Sequence, residues 1–262
     1  MAPKLPKNPY IIPLVILFVS IAILIYMYEP FTRIYYVTVA TKPHPVLEKI
    51  QEKMLLEGQT LHIRGLEENR DIGWKGKGNF GIKLREVNSF LQEDKLNNND
   101  IVLFTDAFDV ALVRPQKEIM KRYKEFHTPI VFGAEKGCHP DKDRAGEYTQ
   151  TQNEPFPFLN SGLFIGRVWA LRKCMEGYSY EDKEDDQRYW TNKYFQYPEL
   201  ITLDTKAKLF LNCAFVDKKL MEYDRFSKKL YYKETDTQPM VVHANGDDKS
   251  YLHVVIDRWQ EP

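Results

Sequence analysis

Residues 101–110, IVLFTDAFDV, place two carboxylates directly after an apolar run. The run from Ile101 to Phe104 is typical of a strand that is buried on both faces of a sheet. Asp106 stands at the carboxyl end of this predicted strand, and Asp109 follows after one tight turn. Ligands of open α/β sheets bind beyond the carboxyl ends of the strands. The two acids therefore mark a candidate site at that edge.

The spacing of the two acids allows two interpretations. Hard carboxylate oxygens this close together suit Mn²⁺ or Mg²⁺ that holds a diphosphate, where the ion neutralises charge on a departing phosphate group. In the alternative, Asp106 caps a turn and Asp109 is solvated. Because two acids three residues apart are common, the spacing alone does not decide between them.

The segments around this stretch alternate between strand and helix patterns, which predicts a Rossmann-like α/β domain over residues 33–262. We expect a mostly parallel sheet covered by helices on both faces. Strands are predicted within 33–41, 60–66, 100–106, 129–135, 156–166, 200–204, 229–234 and 239–246, and helices within 44–58, 81–94, 115–126 and 185–195.

Residues 11–28, IIPLVILFVSIAILIYMY, form an uncharged apolar segment. As a helix it would extend for about 27 Å, close to the hydrocarbon thickness of a bilayer. A cleaved signal peptide would have a shorter apolar run followed by small residues, and a buried core helix would normally show a polar face. We therefore predict an uncleaved signal anchor after a short cytosolic tail, residues 1–10.

The charges around this segment predict its orientation. Lys4 and Lys7 precede it, whereas Glu29 and Arg33 nearly cancel after it. Positive residues tend to stay on the cytosolic side. The expected arrangement is a single-pass type II membrane protein with residues 33–262 lumenal, as in the ER or Golgi, or otherwise extracytoplasmic.

Two further segments favour a phosphate and metal site. The glycine-rich stretch GWKGKGNFGIK, residues 73–83, enters a predicted helix and carries three lysines, a composition that lets backbone amides and charge approach phosphate oxygens. His243 stands at the end of a predicted strand, followed by Asn245 and Gly246, where its imidazole would supply a third metal ligand. Taken alone, each also fits an ordinary surface loop.

Polar residues in two other segments suit sugar binding or proton transfer. Asn160 lies within FLNSGLFIG, and Asp185 and Asp186 open the predicted helix of 185–195. Acids at a helix start are also favoured by the helix dipole, which is the alternative reading of that pair. Nucleic acid is not an expected partner, because 37 basic and 37 acidic residues leave no net positive charge.

Seven motifs taken together resemble one family. YYVTVAT, GWKGKG, LFTDAFDV, VFGAE, FLNSGLFIG, DDQRYWT and VVHANG occur in this order in the glycosyltransferase domain of the lysyl hydroxylases, the procollagen-lysine dioxygenases. The resemblance covers about Tyr35 to Gly246 and includes no dioxygenase domain, so lysine hydroxylation is not expected. It implies a GT-A-type fold, a Rossmann-like mixed sheet flanked by helices, that uses a UDP-sugar and Mn²⁺ or Mg²⁺. In the family, glucose passes from UDP-glucose to galactosyl-hydroxylysine with retention.

The resemblance also implies roles for individual residues. Asp106, Asp109 and His243 match the metal ligands, and Phe108 stands where the family stacks an aromatic ring on uracil. The nucleotide-binding segments contain Thr41, Trp74, Lys83 and Gly246. The pocket for the donor sugar and acceptor contains Asn160, Asp185, Asp186 and Gln187. His139, within KGCHPDK, stands where the family has tryptophan, a difference that bears on the identity of the sugar or acceptor.

The expected function is a membrane-anchored transferase that moves a hexose, glucose or galactose, to a hydroxylysine-linked acceptor or to another glycan or protein, such as a collagen-like chain. The alternative is a non-catalytic module that binds a nucleotide sugar or partners another glycosyltransferase. A nucleotidyltransferase also places two acids at a strand end, but it would leave FLNSGLFIG and DDQ without a role.

Overall fold

A computed structural model describes residues 10, 13–20, 32–73, 80–224, 226–250 and 252. Its main sheet has six strands in the order β2-β1-β3-β6-β5-β7. The strands are β1 Ile34–Val39, β2 Leu61–Arg64, β3 Ile101–Asp106, β5 Ile130–Glu135, β6 Phe158–Arg167 and β7 Ile201–Asp204. The strand that contains Asp106 thus lies inside the sheet, as its apolar run predicts.

Alternate residues of these strands face two separate cores. Val102 and Phe104 belong to one core, which they share with residues of helices α2 (Gly81–Leu91), α4 (Val168–Cys174) and α5 (Asp186–Gln196). Leu103 belongs to the other, beside α1 (Pro45–Leu56) and α3 (Gln116–Lys124). The prediction of a sheet covered by helices on both faces is therefore confirmed.

The main sheet is mostly parallel but mixed, as we expect from the sequence, and β6 is its reversed strand. This strand runs antiparallel to both β3 and β5, whereas β1 is parallel to β2 and β3, and β5 is parallel to β7. The segment between β5 and β6 is the reason, because it has no α-helix of the kind that returns a chain for parallel pairing. The sheet is mixed.

A second, three-stranded sheet brings residues 241–243 next to the turn that follows β3. Its order is β4-β11-β8, made of Val110–Leu112, Val241–His243 and Phe210–Asn212. Strand β11 is antiparallel to β4, with His243 opposite Val110, and parallel to β8, with His243 opposite Asn212. Because β4 follows Asp109 directly, this pairing places His243 beside the two acids. Strands β9 (Met221–Asp224) and β10 (Lys229–Tyr232) form a separate hairpin.

The chain separates into two units, Met1–Arg33 and Ile34–Pro262. In the first unit, residues 13–20 are helical and exposed. Residues 11, 12 and 21–28 of the predicted anchor lie outside the described residues. Within the part of the chain that is described, no helix combines the length and apolar character needed to span a bilayer.

Candidate metal and donor site

The three metal-binding candidates meet at one point. Asp106 ends β3, Asp109 lies in the turn before β4, and His243 ends β11. His243 Nε2 lies 3.5 Å from Asp106 Oδ2 and 3.4 Å from Asp109 Oδ1. One potential ligand atom from each residue lies within 4.8 Å of the others. Two carboxylate oxygens and one imidazole nitrogen form a set that fits Mn²⁺ or Mg²⁺.

Asn212 fixes which ring nitrogen of His243 faces the acids. Its Nδ2 donates to the carbonyl oxygen of Ala134 at 2.9 Å, so its Oδ1 must be the acceptor in the 2.8 Å contact with His243 Nδ1. The Nδ1 atom of His243 therefore carries a proton, and Nε2 is the atom that points at Asp106 and Asp109. A partner of this kind orients an imidazole for metal binding. Asn212 is fully buried, and nothing in the sequence pattern singles it out.

Replacement of Asn212 by leucine is expected to weaken Mn²⁺ binding roughly 10- to 100-fold, because the imidazole loses the acceptor that orients it. Titration calorimetry with MnCl₂ measures this directly. Asn88→Leu is a control of the same kind on a half-buried face of α2. Equal affinities for the Asn212→Leu variant and the unchanged chain would show that Asn212 only fills space.

Gly162 leaves the space that two of the three metal-binding candidates, His243 and Asp106, occupy. A Cβ atom at this position would lie 2.3 Å from His243 Cε1 and 2.8 Å from Asp106 Oδ2. Gly162 belongs to β6, which neighbours β3 in the sheet. The glycine of FLNSGLFIG is thus required by the close approach of the imidazole and the carboxylate to the β6 backbone.

Two ammonium groups flank the acids. Lys83 Nζ, from the first turn of α2, lies 2.7 Å from Asp106 Oδ1 and 3.5 Å from Asp186 Oδ2. Lys249 Nζ lies 2.5 Å from Asp109 Oδ2 and donates to the carbonyl oxygen of Ala244 at 2.8 Å. Lys249 was not predicted from the sequence. Each of the two carboxylates Asp106 and Asp109 thus has a lysine ammonium group beside it.

Burial and the neighbouring charges shift the pKa values of Asp106 and His243 in opposite directions. Burial alone would raise the pKa of Asp106, but the ammonium of Lys83 and the imidazole of His243 hold this pKa well below its usual range. Burial alone would lower the pKa of His243, but Asp109 and Asp106 raise it to about 9. Without a metal, His243 is therefore charged at neutral pH, and a proton on Nε2 faces both carboxylates.

Metal binding is therefore expected to release a proton from His243. The pKa of His243 is about 9, so below pH 9 the neutral fraction of its imidazole falls about ten-fold for each unit by which the pH is lowered. The Mn²⁺ affinity should fall by roughly the same factor for each unit decrease in pH. Calorimetry with MnCl₂ at pH 7.5, in two buffers of different ionisation enthalpy, counts the protons released. Release of no proton, with an affinity that does not change between pH 7 and 8.5, would contradict this assignment.

The start of helix α5 carries the acidic pair of DDQ. Asp185 is the N-cap, and its Oδ1 accepts from the backbone amide of Arg188 at 2.9 Å. Asp186 is buried, accepts from Ser161 Oγ at 2.8 Å and lies next to Lys83. Burial raises the pKa of Asp186 to about 6, more than Lys83 lowers it. Asp186 thus borders the metal-binding residues, whereas the carboxylate of Asp185 caps the helix.

Glu135 forms a second polar centre that was missed in the sequence. It ends β5 and is buried, and its Oε1 accepts from Asn160 Nδ2 at 3.1 Å and from Gln187 Nε2 at 2.9 Å. Its Oε2 accepts from Asn245 Nδ2 at 2.9 Å. Burial raises the pKa of Glu135 despite these donors. Its position at the carboxyl end of VFGAE is the signal that would have found it.

Two of the predicted nucleotide-binding residues, Thr41 and Phe108, lie near the carboxyl end of β1. Thr41 is buried, and its Oγ1 has no hydrogen-bond partner among the described residues. Phe108 is half-buried and packs near Ala40 and Ala107, with its ring 4.8 Å from that of His44. A free hydroxyl and an accessible aromatic ring at this edge suit a base and ribose.

The other two residues predicted to bind the nucleotide have different outcomes. Gly246 lies three residues after His243 and has a φ of +90°. A residue with a side chain would be strained in this conformation. Trp74 and residues 75–79 of the glycine-rich stretch lie outside the described residues.

Comparison with solved structures gives low similarity. A glycosyltransferase involved in the glycosylation of the major capsid of PBCV-1 covers 86% of this chain and 98% of its own, with 11% identity and a TM-score of 0.40.

Comparison with curated proteins gives closer relatives. A multifunctional procollagen lysine hydroxylase and glycosyltransferase of Caenorhabditis elegans is 30% identical over 94% of this chain and 34% of its own length. A procollagen-lysine,2-oxoglutarate 5-dioxygenase of Drosophila melanogaster is 32% identical over 82% of this chain and 31% of its own. The chain thus spans about a third of these relatives.

The family model described as the PLOD GT domain matches residues 31–258. This range includes the metal-binding candidates, Glu135 and the polar residues around it. The chain therefore belongs to the PLOD GT domain family, as a glycosyltransferase domain of the lysyl hydroxylase type.

Proposed function

We propose that this domain is a GT-A-type transferase that moves a hexose, glucose or galactose, from a UDP-sugar to a hydroxylysine-linked acceptor or to another glycan or protein acceptor, with Mn²⁺ or Mg²⁺ as cofactor. One observation carries the proposal. Asp106, Asp109 and His243 converge within 4.8 Å at the carboxyl edge of the sheet, with the His243 tautomer set by Asn212. A divalent ion held there supplies the charge that a departing UDP requires.

The surrounding residues would bind the nucleoside, the diphosphate and the donor sugar. Thr41 and Phe108 would bind the nucleoside, and Lys83 and Lys249 would turn from Asp106 and Asp109 toward the diphosphate oxygens. Asp186 and Asn160 would contact the donor sugar, beside the buried carboxylate of Glu135, while Asp185 would act by holding the start of α5.

A donor screen tests the reaction. UDP release is measured from UDP-glucose, UDP-galactose and their N-acetyl forms, with MnCl₂ and with EDTA. We expect release from UDP-glucose or UDP-galactose that depends on Mn²⁺, because the diphosphate needs its counter-ion. UDP release that persists in EDTA, or release of pyrophosphate from nucleoside triphosphates in place of UDP from the UDP-sugars, would reject this function. UDP binding without any release would favour the non-catalytic module.

We further propose that residues 11–28 anchor the chain as a type II membrane protein with residues 33–262 on the lumenal or extracytoplasmic side. The support is the uncharged run of these residues and the lysines that precede it. Fractionation of cells that express the chain tests the anchor. Retention in the membrane pellet after a carbonate wash is expected, and full release into the supernatant would rule it out.

A further inference from the structure

His44 lies in the short segment that leads from β1 into helix α1. This segment, residues 41–45, reads TKPHP, so a proline stands on each side of the histidine. The backbone of His44 is extended, with a ψ of 139°. A residue that precedes proline is restricted to this region, because the proline ring would clash with it in a helical conformation. The backbone position of His44 is therefore well defined.

The imidazole of His44 caps the start of α1. Its Nδ1 accepts from the backbone amide of Val46 at 3.2 Å. This bond satisfies one of the amides that the first turn of a helix leaves without a partner. Serine, threonine, asparagine and aspartate are the usual residues at such a position, because a short polar side chain makes the same bond. The cap thus holds the imidazole in place, but it does not explain why the residue has a ring.

The ring of His44 packs against the ring of Phe108. The two centroids lie 4.8 Å apart, and the ring planes are tilted by 38°. Aromatic side chains at this separation attract each other. Phe108 also packs against a small buried cluster that contains Ala107 and Leu47, and Leu47 belongs to the first turn of α1. The orientation of Phe108 therefore depends on how α1 begins.

This contact belongs to the edge of the sheet where the nucleoside-binding candidates lie. Thr41, whose buried Oγ1 has no hydrogen-bond partner among the described residues, precedes His44 by three residues. Phe108 stands directly before Asp109, and its ring is only half-buried. A half-exposed ring can present one fixed face to a base only if a neighbour limits its rotation. The imidazole of His44 is such a neighbour.

We propose that His44 is a positioning residue for the nucleoside, and that its imidazole, held by the cap bond, sets the orientation in which the ring of Phe108 meets the base. This rests on the proposed function, in which Phe108 binds the base. A ring that is already held in its binding orientation loses less freedom when the ligand arrives.

The size of the effect follows from the aromatic pair. Loss of the imidazole should weaken UDP binding by no more than the pair contributes, which is roughly three- to ten-fold. The KM for the UDP-sugar should rise by a similar factor. The kcat should stay unchanged, because the bond that breaks lies at the other end of the UDP-sugar and the base is held equally before and during the reaction.

Two variants separate the ring of His44 from its cap. His44→Asn keeps an acceptor for the helix start and removes the ring, whereas His44→Phe keeps a ring and removes the acceptor. Titration calorimetry in MnCl₂ should show a raised Kd for UDP in His44→Asn and an unchanged Kd in His44→Phe. The melting temperature should change the other way, with a decrease of roughly 2–4 °C in His44→Phe alone.

His127→Asn is the matched control, because it makes the same replacement at an exposed histidine between α3 and β5. The φ of His127 is +53°, a conformation that asparagine also adopts. This variant should bind UDP as the unchanged chain does. A double-mutant cycle then tests whether His44 acts through Phe108. In a Phe108→Ala background, His44→Asn should cause no further loss of UDP affinity, because no ring is left to position.

Three results would overturn the role of His44. They are an unchanged Kd for UDP in His44→Asn, an equal loss of affinity in His44→Asn and His44→Phe, and a full further loss in the Phe108→Ala background. The second result would show that the cap, and not the ring, supports UDP binding. Absence of UDP binding by the unchanged chain would instead reject the proposed function itself, which distinguishes the two failures.

Discussion

Replacement of Asp109 by alanine is expected to reduce UDP-hexose turnover roughly a thousand-fold or more. Asp109 supplies one of two carboxylates in the metal-binding set, and His243 Nε2 lies 3.4 Å from its Oδ1. Without this carboxylate, a divalent ion would keep two protein ligands, and the charge on the departing UDP would be poorly balanced. Steady-state release of UDP in MnCl₂, followed with a coupled assay, measures the loss.

Asp94→Ala is the matched control for this experiment. Asp94 is exposed and precedes Ile101, so it lies before the amino end of β3, whereas Asp106 is at the carboxyl end. Its variant should turn over at the rate of the unchanged chain. If Asp109→Ala kept full turnover while Asp94→Ala behaved as expected, the metal assignment at the carboxyl end of β3 would be wrong.

The second large effect is expected for Gly162→Ala. The added methyl group would lie 2.3 Å from His243 Cε1, so the imidazole or the backbone of β6 must move. Overpacking of this kind costs about 1–3 kcal/mol of stability, and any shift of His243 also separates the metal ligands. We therefore expect a lower free energy of unfolding together with a loss of Mn²⁺ affinity.

Gly146→Ala is the control, because a Cβ atom at Gly146 would have no heavy atom within 4 Å. Urea denaturation measures the free energy of unfolding, and calorimetry measures the binding of Mn²⁺. A Gly162→Ala variant with the stability and the Mn²⁺ affinity of the Gly146→Ala variant would show that the site tolerates the methyl group. The close approach of His243 to β6 would then play no part in metal binding.

The positions of two metal-binding candidates, Asp106 and His243, could be predicted because each follows an apolar run. Ile101–Phe104 predicts a buried strand and places Asp106 at its end, and Val241–Val242 does the same for His243. Helices with a clear apolar periodicity, such as α1 and α3, were also predicted close to their observed bounds. In these segments the local pattern and the tertiary contacts favour the same structure.

Other parts of the site depend on strand pairing, which the sequence does not display. Asn212 becomes a partner of His243 only because β8 and β11 pair in parallel with these residues opposite each other. Strands β4 and β8 have three residues each, too few for a recognisable pattern. The need for glycine at position 162 likewise follows from the side chains across the sheet and not from its neighbours in the chain.

The polar centre at Glu135 depends on an irregularity in the sheet. The register between β5 and β6 shifts between Phe132 and Gly133, and Gly133 then pairs with Asn160. With this register, Asn160 Nδ2 donates to Glu135. A regular antiparallel pairing continued from Phe132 and Phe164 would place other residues opposite this segment. The sequence does not predict such a shift, so Asn160 was recognised as a candidate without its partner.

Titration calorimetry of UDP tests the central claim most directly. The chain is titrated with UDP in MnCl₂ and again in EDTA, and both titrations are repeated with the Asp109→Ala variant. The convergence of Asp106, Asp109 and His243 predicts one UDP per chain in MnCl₂, with binding lost in EDTA and in the variant. UDP binding of equal strength in MnCl₂ and EDTA, or no binding by the unchanged chain in MnCl₂, would contradict the claim that these residues form a metal site for a nucleotide sugar.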